Sequence, residues 1–147
     1  MKITEVLTAE HAMFRVMFDH IERVLPTLKT TAEVKLLSRM AEELLHGHGE
    51  SEQSLAYAAL DHMLKEKGCL GRLYTEHREM DVRFQQAQSS DDLPESCRLL
   101  LSAILMSREH FRYEERELFP LIDRILQSES LETLGAAWKQ KRAAVVG

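Results

Sequence analysis

The sequence predicts an all-α protein, an up-down four-helix bundle with a short C-terminal fifth helix. Three observations lead there. Apolar residues recur at three- and four-residue spacing along nearly the whole chain, and strand-like alternation does not appear. Only six Gly and three Pro interrupt 147 residues rich in Leu, Glu, Ala and Arg. The helical stretches also fall into two similar pairs, as expected of an antiparallel bundle with an internal repeat.

The first segment runs from about Thr8, read as an N-cap, to Leu25, where Pro26 stops it. Its apolar face carries Leu7, Phe14, Phe18, Ile21 and Leu25. The second runs from about Thr31 into the stretch Lys65 to Gly68, with Leu37, Met40, Leu44, Leu55 and Ala59 setting its apolar direction. The third covers about Leu70 to Gln88 and ends before SSDDLP. The fourth begins near Pro94, a residue suited to a first helical turn, and continues to about Gln127. Pro120 within it removes the backbone bond to Arg116 and should kink the helix. LETLGAAWKQKRAAVV closes the chain, with Trp138 as its anchor across the bundle.

Hydrophobic residues at 44% and charged residues at 29% give a globular balance, and the length suits one domain spanning 1–147. The net charge is −5, with both signs interspersed and no basic stripe, so nucleic acid is not an expected partner. No run approaches the roughly 20 apolar residues of a membrane span. The opening MKITEVLTAEH lacks the apolar stretch of a signal peptide. Cys69 and Cys97 lie outside any Cys-x-x-Cys pattern and read as two reduced thiols of a cytoplasmic protein.

The repeat carries the chemistry. HGESEQSLAYAAL (48–60) aligns without a gap on HFRYEERELFPLI (110–122), pairing His48 with His110, Glu52 with Glu114, Gln53 with Glu115 and Tyr57 with Phe119. TAEHAMFRVMF and YTEHREMDVRF form a weaker echo that pairs His11 with His77. Each half therefore reads His, then His-x-x-x-Glu.

Helical phase, at about 100° per residue, sorts the seven histidines. His11 falls with Phe14 and Phe18, His48 near the apolar direction of its helix, and His77 among Leu73, Met80 and Phe84. His110 and Glu114 share the face of Ala103, Ser107 and Leu118, and Glu52 lies on the margin of its own. His46 and Glu50 repeat the His-x-x-x-Glu spacing but point to the opposite side, and His20 points away. His62 faces inward in this reading, yet it stands roughly 21 Å beyond His48 along a straight helix, too far to join it.

A buried unpaired carboxylate costs several kcal/mol unless neutralised, and two close together repel. A cation between them removes both problems, so His11, His48, Glu52, His77, His110 and Glu114 are expected to form a metal site. If each glutamate bridges two metals, each metal receives two imidazole nitrogens and two carboxylate oxygens. A bridging oxo or hydroxo makes five, and a six-coordinate ion keeps one position open. Mixed imidazole and carboxylate donors suit iron better than magnesium, calcium or structural zinc, with zinc and manganese left open. His-Glu-x-x-His, a Gly-rich phosphate loop and matched Glu-x-x-His pairs are not found.

On these residues the sequence resembles the hemerythrin-like, or HHE cation-binding, family over nearly its whole length. The resemblance rests on the single histidines of TAEHAMF and YTEHREM, the pairs His48/Glu52 and His110/Glu114, the run EERELFPLI and the tail LGAAWKQKRAA. It implies a bundle holding two non-haem iron ions, with the four histidines as terminal ligands and Glu52 and Glu114 as bridges. The oxygen carriers of that family place a further histidine where Leu73 stands here. They also end the fourth-helix motif on an aspartate five residues after the histidine, whereas Glu114 comes at four. Tyr74 and Asp81 are the candidates to fill the gap, although an ordinary core or surface role suits each better. The expected function is binding or sensing a small oxidant such as O2. The alternatives are turnover of hydrogen peroxide or nitric oxide, and iron handling. A diatomic or peroxide is the expected small ligand, and no protein partner is legible. Gly47 and Gly49, either side of His48, are read as allowing close packing rather than ligand access.

Overall fold

Four long antiparallel helices form the bundle, and a fifth packs across one side of it. The structure is a computed structural model describing residues 1–65, 68 and 70–146, with the backbone alone for Val146. Helix α1 spans Ile3–Val24 and passes into a 3-10 turn at Leu25–Thr27. Helix α2, Thr31–Ser51, continues through a π turn at Glu52–Tyr57 into α3, Ala58–Met63. Helix α4 is Gly71–Ser89. Helix α5, Leu93–Tyr113, continues through a second π turn, Glu114–Leu118, into α6, Phe119–Ile125. Helix α7 is Ser128–Val146. No strand occurs among the described residues, and none of their helices is long and apolar enough to cross a membrane.

Local chemistry sets the helix ends. Thr30 accepts the Glu33 amide at 3.3 Å while the Glu33 carboxylate accepts the Thr30 amide at 3.1 Å, a reciprocal cap. Asp92 accepts the Glu95 amide at 3.1 Å, and Pro94 sits in the first turn of α5. Helix α1 begins well before Thr8, because the Glu5 carboxylate accepts the Lys2 amide at 2.8 Å and Ile3 and Leu7 are fully buried. Thr8 is a mid-helix residue whose hydroxyl donates to the Thr4 carbonyl at 2.7 Å.

Cross-helix pairs fix the antiparallel order. Lys35 of α2 reaches Asp91 in the turn after α4 and Gln88 of α4 reaches Glu42 of α2, while Arg83 donates to Ser102 between α4 and α5. Arg108 pairs with Asp19, Arg15 with Glu115 and Thr4 with Asp123 along α1 and the α5–α6 rod. The apolar interior has two layers. One gathers Phe14, Phe18, Ile21, Val34, Phe84 and Ile104 towards the end where α4 turns into α5. The other gathers Ile3, Leu7, Leu60, Leu73, Ile122 and Leu131 around the starts of α1 and α7. On every rod the inward histidine falls between the two.

Met40 and Leu44 are 53% and 52% exposed, so the inner face of α2 runs instead along Val34, Ser38, Ala41, Leu45 and His48. Small and polar residues hold that face because α4 crowds it: Ser38 donates to the Phe84 carbonyl at 2.8 Å. His62 is exposed rather than inward. The π turn before it adds a residue to the local repeat, seen in the Ala58 amide bonding to the Gln53 carbonyl, and so rotates the residues of α3. The second π turn places the Phe119 amide on the Glu114 carbonyl, and Pro120, which has no amide hydrogen to give, comes directly after. The second segment ends as a helix at Met63; its expected continuation through Glu66 and Lys67, and the Cys69 thiol, lie outside the described residues.

Ile104→Ala, at a fully buried position, is expected to cost about 2–5 kcal/mol. Leu101→Ala, one turn away but 42% exposed, should change stability by less than about 0.5 kcal/mol. Urea denaturation midpoints of the two variants check this.

Candidate metal centre

Between the two apolar layers four imidazoles converge in two pairs. His11 Nε2 lies 3.0 Å from His48 Nε2, and His77 Nε2 lies 2.9 Å from His110 Nε2. Glu52 stands between the pairs. Its Oε1 is 2.8 Å from His48 Nε2 and 3.3 Å from His11 Nε2, while its Oε2 is 3.1 Å from His77 Nε2. Glu114 presses on His110 Nε2. The side chains therefore make two overlapping donor sets able to hold a cation: His11, His48 and Glu52, and Glu52, His77, His110 and Glu114. Glu52 belongs to both, whereas Glu114 joins the second. All six are buried.

Each imidazole is held from behind. His48 Nδ1 is 2.7 Å from Glu10, which Arg142 binds in turn, and His110 Nδ1 is 2.7 Å from Glu76, which Arg72 binds. His11 Nδ1 meets Glu115 at 3.1 Å, and Arg15 clamps that carboxylate through both terminal nitrogens at 2.8 Å. His77 Nδ1 meets the Gln53 side-chain oxygen at 2.8 Å. An acceptor behind Nδ1 keeps the proton there and turns the Nε2 lone pair inward, the arrangement of metal-ligating histidines. The sequence held a signal for these partners. Glu10 and Glu76 each precede a first-helix histidine, and Gln53 and Glu115 each come directly after an inward glutamate.

Two observations test whether a cation fits. Glu114 is fully buried, yet neither of its oxygens accepts a well-directed hydrogen bond from a described residue. Paired Nε2 atoms at hydrogen-bond distance cannot both present lone pairs unless something electropositive lies between them. The electrostatics agree. Burial alone would lower the pKa of His48, but the charge of Glu52 and the contact with Glu10 hold it up at about 10. Burial likewise works against a charged His110, and Glu114 holds it up at about 9. Burial would raise Glu52, but His48, His11 and His77 pull it well below the ordinary carboxylate range. Burial and the charge of Glu52 push Glu114 up. With no cation, protons must serve as the counter-charge, and the donor set fits a metal better than it fits itself.

Sequence reasoning missed Tyr57. Its hydroxyl lies 3.3 Å from His77 Nε2 and 3.5 Å from both His110 Nε2 and Glu52 Oε2, and its ring stacks near His77 with centroids 5.5 Å apart. Tyr74 stays at the side, with its ring edge-on to Tyr57, and Asp81 turns outward to His46 at 3.1 Å. His46 and Glu50 are exposed. Phe111 stacks on His11 in the first pair, with centroids 4.0 Å apart.

Fold and site together define a helical bundle with a buried histidine–glutamate centre able to hold metal. The chain matches the hemerythrin HHE cation binding domain over residues 2–122, and it belongs to that family. Neither the curated proteins nor the solved structures gave a match.

Glu114→Gln removes a buried carboxyl whose ionisation burial and the charge of Glu52 both oppose. In the chelated protein it should raise the melting temperature by a few degrees, the equivalent of about 1 kcal/mol. In metal-supplied protein it should lower the bound metal, so thermal melting and metal analysis are expected to move in opposite directions.

Proposed function

We propose that this protein is a non-haem di-iron protein that binds or senses a small oxidant such as O2. The observation carrying this reading is Glu52, whose two oxygens face two separate histidine pairs, as a carboxylate bridge between two metal ions requires. His11 and His48 would hold one ion, and His77 and His110 the other, with Glu114 beside the second. Nitrogen and carboxylate donors without thiolate favour iron over a structural zinc site. When bound, the iron pair supplies the redox chemistry and a coordination position for the oxidant. The chain does the rest. Glu10, Glu76, Glu115 and Gln53 orient the imidazoles, and the apolar layers on either side keep bulk water from the carboxylates.

Tyr57 favours a second reading, redox turnover of hydrogen peroxide or nitric oxide. Burial and the charges of Glu52 and Glu114 push its pKa up, so without a cation it remains a phenol that can donate a hydrogen bond within the centre. It would also add an oxygen donor on the His77–His110 side.

Protein grown with ample iron should carry two iron ions per chain. Its reduced form should change absorption rapidly and reversibly on exposure to air if it is a binder. Steady loss of added peroxide or nitric oxide would instead favour turnover, and ready loss of iron to a weak chelator would favour iron delivery. Glu52→Ala should abolish two-metal binding, whereas His46→Ala and Glu50→Ala should leave metal content unchanged. Tyr57→Phe should keep both ions and alter the visible spectrum of the oxidised protein. A metal-free product from iron-rich growth overturns the reading.

A further inference from the structure

The two halves of the centre are related by the sequence repeat, but they are not equally closed. Position 111, beside His110, holds a phenylalanine whose ring is buried and stacked on His11. Its repeat partner is position 49, beside His48, and there the chain has glycine. A Cβ at Gly49 would stand only 3.2 Å from His77 Nδ1, so the glycine does let α4 pack closely. The same missing side chain leaves space. A cavity of about 130 Å3 opens on the α2–α4 face and is lined by Gly49, Met80, Phe111 and three of the candidate ligands, His48, His77 and His110.

That cavity touches three of the four imidazoles. A larger one, about 280 Å3, lies on the α4–α5 face and also touches His110, but there Glu76 covers the imidazole by bonding to Nδ1. The larger space thus meets only the back of one ligand. The smaller one has a volume suited to a molecule of a few heavy atoms. At its mouth His46 on α2 meets Asp81 on α4 at 3.1 Å, with Glu50 and Arg78 beside them.

We propose that the cavity over Gly49 is the entry and binding site for a small diatomic, triatomic or peroxide ligand, and that the His46–Asp81 contact forms its outer gate. This rests on the reading of the centre as a di-iron site for a small oxidant. The ligand arrives at the side of the centre that His48, His77 and His110 share, and not on the His11 side, where Phe111 stacks. The His46-x-x-x-Glu50 spacing, rejected as a ligand pair on phase, thereby gains a role at the mouth.

Azide binding to the oxidised, iron-loaded protein, measured by stopped-flow absorbance, tests this. Met80→Trp places an indole in the passage and should slow azide association by about tenfold or more, with iron content and resting spectrum unchanged. His46→Ala combined with Asp81→Ala, at the surface, should speed association. Leu105→Trp, in the α4–α5 cavity, should leave the rate as it is. If wild-type protein binds azide but Leu105→Trp slows it, or if neither Met80→Trp nor the gate double variant changes the rate, the route is wrong while the centre stands. If iron-loaded wild-type protein binds neither azide nor peroxide, the reading of the centre falls and the route with it. Should Met80→Trp fail to fold, the gate variant alone decides.

Discussion

Two ionisable carboxylates, Glu52 and Glu114, lie with no solvent exposure in the middle of a helical bundle, and most of this structure is arranged around that constraint. Desolvating one such group costs several kcal/mol, and placing a second beside it adds repulsion. The chain answers with four imidazoles on four rods, each fixed from behind. Three of those four partners are carboxylates themselves bound by arginine, so the counter-charge is passed outward in steps from the centre to the surface. A cation at the centre completes that series. Without one, protons on His48 and His110 must stand in.

The internal repeat explains why the centre has two halves, and its three departures explain why they differ. Glu115 corresponds to Gln53, Phe119 to Tyr57 and Phe111 to Gly49. On the first side the exchange gives a charged clamp behind His11 and two aromatic rings against it, with Phe119 centred 5.5 Å away. On the second it gives a neutral amide behind His77, a hydroxyl at the donor atoms and an opening to the surface. A duplicated frame thus supplies matched donors, while exchanges at matched positions give one side two stacked rings and the other a hydroxyl and a glycine. The π turns fall at corresponding places, each beginning at the glutamate, where relaxing the helix lets Glu52 and Glu114 turn fully inward before the apolar face resumes.

Much of the site was legible because helical phase is geometric. His11, His77 and His110 each share a face with several buried apolar residues, and no tertiary information is needed to place them. His48 lies inside although part of the premise for it fails, since Met40 and Leu44 are exposed and the true inner face carries Ser38 and Ala41. Periodicity reports where apolar residues recur. It does not report which side a close neighbour will occupy, and small residues inside a tight helix contact look polar to a pattern. Tyr57 escaped for a related reason. It closes a π turn, where ideal phase no longer holds, and its repeat partner is an ordinary core phenylalanine.

By itself the sequence determined the class of fold, the order of the rods and the six residues that share the interior, because repeat spacing and the cost of burying charge both act along single helices. Tertiary structure alone decided that Glu52 faces both histidine pairs, that Tyr57 reaches the centre and that a cavity beside Gly49 touches His48, His77 and His110. Those facts depend on distances between rods, set by packing between residues far apart in the chain, and no spacing within one helix encodes them.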